Sequence, residues 1–77
     1  MTKLQIDKEY EKINHEVFVN TPYLPEAAKQ RELLIEAQGH LGNIVIAKAN
    51  KNKVEEAQLE YVYFGTMKDY YHWNDKK

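Results

Sequence analysis

The stretch EAAKQRELLIEAQGHLGNIVIAKA, residues 26–49, decides the fold. Within it Ala27, Leu34, Ala37, Leu41, Ile44 and Ala47 recur at helical or heptad intervals, and Leu33, Val45 and Ile46 widen the stripe. That is the pattern of one long helix burying a face. Pro25 suits the first helical position and Glu26 the first turn, where the helix dipole favours negative charge, so the helix is predicted over about 25–49. Gly39 and Gly42 sit inside it and cost about 1 kcal/mol each relative to Ala, which implies a bend or a neighbour that needs the space. Reading them as a G-x-x-G loop that clamps nucleic acid would require a basic surface and an α/β context that this chain lacks.

Upstream, Tyr10, Ile13, Val17 and Phe18 follow one another at helical spacing with polar residues between, giving a helix over 7–19 with Asp7 as its N-cap. The prolines in Asn20-Thr21-Pro22-Tyr23-Leu24-Pro25 interrupt it. Downstream, Asn50-Lys51-Asn52-Lys53 is the natural reversal, because Asn tolerates a left-handed C′ position and also caps the next helix, with Glu55 at N3. A third helix is expected over 53–64. Gly65 offers a stop, and Thr66-Met67-Lys68-Asp69 has the form of a capping box, so a short C-terminal helix is expected over 67–74, followed by a solvated tail, 75–77. A competing reading pairs 43–49 with 58–64 as a β-hairpin. It is disfavoured because neither run alternates apolar with polar residues. The expectation is an all-α protein: a small helical bundle or hairpin, one domain over 1–77, with the 25–49 and 53–64 helices antiparallel and the 7–19 helix closing the core.

A chain of 77 residues hides only roughly 60% of its extended surface on folding, which is marginal for a monomer, and the absence of cysteine removes disulfides, thiolate metal sites and a cysteine nucleophile. Good helix packing and oligomerisation are the remaining supports, so an oligomer is expected. The lack of cysteine also fits a reducing compartment, and the first residues lack an apolar h-region, so the expected location is cytoplasmic, without membrane insertion. Ten of the eleven cationic residues are Lys, a usage associated with AT-rich genomes and compatible with a bacterium or its mobile elements.

Chemistry is hard to place on this chain. It contains no Ser and no phosphate-binding, zinc-protease or calcium-loop motif, so it is read as non-enzymatic, with no catalytic residue, cofactor or metal site expected. Each histidine has a carboxylate at helical spacing (Glu11 with His15, Glu36 with His40, Asp69 with His72), but at this density of acids such a coincidence arises roughly one time in eight.

The informative feature lies near the C-terminus, where Tyr61, Tyr63, Phe64, Tyr70, Tyr71 and Trp73 fall within thirteen positions. Four consecutive apolar residues, 61–64, point all the way round a helix, so one core cannot bury them all. Aromatic rings with polar tips suit interfaces. The expected function is therefore a protein–protein interaction or regulatory module acting on itself or on a larger protein through Tyr61, Phe64, Tyr70, Tyr71 and Trp73. The alternative is a nucleic-acid-associated protein whose oligomer aligns Lys29, Arg31, Lys48, Lys51 and Lys53 into a stripe. A formal net charge of −1, with each third of the chain within one charge of neutral, gives that reading little electrostatic footing.

Overall fold

The computed structural model describes the backbone of residues 1–20 and 27–75 and the side chains of 1–19 and 27–72. Three helices follow one another: α1 over Lys3–His15, continued by a π-helical turn over Glu16–Asn20, α2 over Ala28–Ala49 and α3 over Lys53–Asp75. Among the described residues there is no strand, so 43–49 and 58–64 are helix.

Helix α1 starts four residues earlier than the apolar spacing suggests. Thr2, not Asp7, is the N-cap: its hydroxyl accepts from the Gln5 N–H at 3.2 Å, and the Gln5 side chain accepts from the Thr2 N–H at 2.7 Å. This reciprocal box satisfies two donors that helix geometry leaves open. At the other end, the widening into a π-turn moves the register. Glu16 turns inward and Phe18 outward, so the face predicted to bury both Val17 and Phe18 keeps Val17 half-buried and leaves Phe18 exposed.

Helix α2 begins at Ala28, with Ala27 at the cap position and no side-chain capping bond. Pro25 and Glu26, the predicted first turn, lie outside the described residues. Its C-terminus closes in a Schellman arrangement: Asn52 N–H donates to the Ala47 carbonyl at 2.9 Å and Lys51 N–H to the Lys48 carbonyl at 3.1 Å. The left-handed residue is Lys51, at φ 57°, rather than an asparagine. Asn52 then caps α3, its side-chain oxygen accepting from the Glu55 N–H at 3.2 Å and its amide donating to the Glu55 carboxylate at 3.0 Å. This is the predicted Asn–Glu box.

The expected break at Gly65 does not occur. Helix α3 runs unbroken through it, and the Thr66 hydroxyl, predicted to be a cap, donates instead to the Val62 carbonyl one turn back at 3.1 Å. Packing holds the helix together here: Tyr63, Thr66, Met67 and Tyr70 on one side of it are all buried, and a break at Gly65 would take Met67 and the Tyr70 ring out of line with Tyr63 and the core.

The core is one cluster of Ile6 and Ile13 from α1, Leu33, Leu34, Ala37, Leu41 and Ile44 from α2, and Tyr63, Met67 and Tyr70 from α3. The short turn makes α2 and α3 an antiparallel hairpin, as predicted. Helix α1 runs alongside, antiparallel to α2 and parallel to α3, in a body 40 Å long and 18 by 16 Å across. Among the described residues no helix is long and apolar enough to cross a membrane.

Two substitutions check this local reading. Gly65→Ala should raise stability by about 1 kcal/mol, because a Cβ there meets nothing within 4 Å and the residue sits mid-helix; thermal melts that show a loss would restore the predicted break. Lys51→Gly should raise the melting temperature by relieving a left-handed non-glycine residue, a gain of up to about 1 kcal/mol.

Candidate interaction surface

The aromatic-rich end divides according to the helical period. Tyr63 and Tyr70, seven residues apart, are fully buried, whereas Tyr61 is 84% and Phe64 51% exposed. Tyr63 lies edge-on to Phe64 with ring centroids 5.1 Å apart, and Tyr70 edge-on to Tyr71 at 5.3 Å, so each buried ring supports a neighbour nearer the surface. Tyr71 is half-buried, with the Lys12 ammonium 5.2 Å from its ring centroid. Tyr70 is thus a core residue, which corrects its predicted place on a contact surface. The Trp73 side chain lies outside the described residues.

Both buried tyrosines reach carboxylates on the first helical segment. The Tyr63 hydroxyl donates to Glu9 at 2.8 Å and the Tyr70 hydroxyl to Glu16 at 2.7 Å. Glu9 and Glu16 are themselves seven apart, so two identical phenol–carboxylate bonds repeat one heptad along a parallel pair of segments. Sequence reasoning passed over both acids. The signal was available, however, because the seven-residue spacing of the acids matches that of the tyrosines. At the head of the same seam the Met1 ammonium sits beside Glu56 at 3.6 Å and also contacts Glu60, and Lys48 holds the Met1 carbonyl at 2.9 Å and Glu56 at 3.8 Å.

Tyr61 and Phe64 stand on the outer side of this seam. Phe64 separates two shallow depressions, one of about 290 Å³ running to Met1, Gln5, Glu9 and Glu60, the other of about 370 Å³ along Tyr61, Gly65 and Lys68. The patch is apolar at its centre and carries both signs of charge at its edge.

The five cations of the alternative reading are not brought together within one chain. Lys29 and Arg31 sit near the start of α2, whereas Lys48, Lys51 and Lys53 lie at its far end, about 30 Å away by helical rise. Lys29 is near Glu32 at 3.9 Å, and Lys48 is engaged as described above. Of the three histidine–carboxylate pairs, His40 approaches Glu36 at 3.6 Å, too far for a hydrogen bond. No group of three or more potential metal ligands occurs among the described residues. No protein-family model, curated protein or solved structure matches this chain.

Burial and the Glu9 carboxylate together hold the Tyr63 phenol well above its ordinary value. The folded state therefore keeps this proton where the unfolded chain loses it, near pH 10. Its contribution is complete below that pH and falls away as pH rises further, by up to about 1.4 kcal/mol per pH unit for the single proton. Tyr63→Phe should lower stability near neutrality by about 1–2 kcal/mol and flatten the alkaline limb of a stability–pH curve by that slope. An unchanged limb in chemical denaturation would show that this phenol is not held protonated.

Proposed function

We propose that this protein is a non-enzymatic protein–protein interaction module whose contact surface is centred on Tyr61 and Phe64. The observation that carries the reading is the division of the aromatic cluster: the fold buries Tyr63 and Tyr70 and still leaves two rings, one helical turn apart, facing outward on a continuous helix. An outward Tyr and Phe bring large apolar area at low conformational cost, and the Gln5, Glu9, Glu60 and Lys68 side chains around them supply a polar rim. Tyr71, braced by Lys12, lies at the margin of this surface.

The test compares surface with core. Tyr61→Asp combined with Phe64→Asp should leave helicity intact and cost about 1–2 kcal/mol, mostly from the half-buried Phe64 ring, while abolishing capture of partners retained by the wild type from its native cell. Tyr70→Ala, by contrast, should cost about 3–5 kcal/mol and unfold a domain this small. Unaltered capture by the double variant would end the proposal, as would loss of its circular dichroism.

A further inference from the structure

We propose that the face formed by α1 and α2 binds a second copy of this chain in antiparallel, two-fold register, with Phe18 of each copy seated in a depression of the other. This surface is separate from Tyr61 and Phe64, and the inference does not depend on them.

At one end of the face Phe18, 85% exposed, stands beside Ile35, 68% exposed. At the other end a depression of about 340 Å³ opens between the same two helices, its apolar walls formed by Ile6, Tyr10, Val45 and Ala49. Knob and hollow lie at similar distances on either side of the middle of α2: Phe18 borders a depression whose α2 side is lined by Arg31, Ile35 and Gln38, and the hollow is lined on α2 by Val45, Lys48 and Ala49. A two-fold axis perpendicular to α2 between His40 and Leu41 carries each Phe18 onto the other copy's hollow.

The residues between knob and hollow obey the same axis. Ile35 and Ile46 are equidistant from it, as are Gly39 and Gly42, so the outer strip reads alike in both directions. The operation sets Ile35 against the partner's Ile46 and Gly39 against the partner's Gly42. An isologous contact requires this kind of self-complementarity, and an unrelated partner gives no reason for it. The bundle itself does not need the glycines: a Cβ at Gly39 would meet nothing within 4 Å, and one at Gly42 only the Tyr10 hydroxyl at 3.8 Å. A helix lying across them from outside gains close approach from both.

Charge and area agree with the same occupant. Residues 37–47 contain no Asp, Glu, Lys or Arg in a chain that is 30% charged, so two copies of α2 meet across the axis without like-charge repulsion. Toward the rim, exposed Glu32 comes opposite the Lys51–Lys53 turn of the second copy, as do Lys29 and Arg31, so the cationic turn meets charges of both signs there. Phe18, Ile35, Val45 and Ile46 with the strip between them offer on the order of 600 Å² per copy, so a pair would bury on the order of 1,200 Å², the lower bound for a specific, stable interface.

Sedimentation or light scattering from about 1 μM to about 1 mM, the range that resolves micromolar homodimers, should show the 9.1 kDa chain doubling in mass. Gly39→Glu should raise the dissociation constant at least about 100-fold while the monomer keeps its helicity, and Phe18→Ala about 10-fold; Tyr61→Asp should leave the mass unchanged. Because the chain has no cysteine, a nitroxide on Ala28→Cys reports a single distance between copies. Antiparallel pairing about the stated axis places the two α2 positions about 37 Å apart along the helices at about 1.5 Å of rise per residue, whereas parallel pairing places them about 10 Å apart. A single-copy mass at about 1 mM, a pair that survives Gly39→Glu or dissolves on Tyr61→Asp, or the short distance would each overturn the proposal.

Discussion

Two phenol–carboxylate hydrogen bonds, Tyr63 to Glu9 and Tyr70 to Glu16, tie the first helix to the rest of the molecule. Their importance follows from the spacing of the helices. Helices α2 and α3 pack closely along their length, with Ala37 and Ala47 among the buried residues of α2, but no Cα of α1 comes within 8 Å of a Cα of α3. Long side chains must cross that gap. A tyrosine fills it with an apolar ring and ends in a donor, and a carboxylate accepts that donor in a setting where an unpaired polar group would be costly. Both bonds fix the same parallel register, because the seven-residue spacing of Glu9 and Glu16 keeps both acids on one side of the first helical segment.

That register also determines what the molecule shows to solvent. With Tyr63 and Tyr70 committed to the seam, the helical period leaves Tyr61 and Phe64 facing outward beside it. With Glu16 turned inward, Phe18 stands proud of the opposite groove, between α1 and α2. The two proposed contacts therefore lie on different sides of the bundle. A pair formed through the α1–α2 face would carry two copies of the Tyr61–Phe64 surface, and a bivalent arrangement strengthens attachment to a repetitive or multimeric target without any new contact.

A domain of this size buries a smaller share of its surface than a larger one, and the ten large apolar side chains left exposed among the described residues are a substantial reserve for such contacts. Six of the ten fall into two sets. Ile35, Val45, Ile46 and Phe18 belong to one face, Tyr61 and Phe64 to another, and the uncharged middle of α2 coincides with the first.

The sequence by itself determined the helical class, the long second helix, the turn at Asn50–Asn52 with its Asn–Glu cap, and the antiparallel hairpin, because periodicity and capping act over a few neighbouring residues. It also determined that residues 61–64 could not all be buried, since that follows from the angle between successive side chains. Tertiary packing decided the rest. Gly65 and Thr66, a stop and a cap by local preference, were overridden because Tyr63, Met67 and Tyr70 needed one continuous face to reach the core. Which tyrosines became structural and which stayed available depended on Glu9 and Glu16, more than fifty positions away in the chain. The seven-residue spacing common to the acids and the tyrosines shows that two such bonds can form together but not which helices lie side by side, and only the folded register brings phenol and carboxylate within reach.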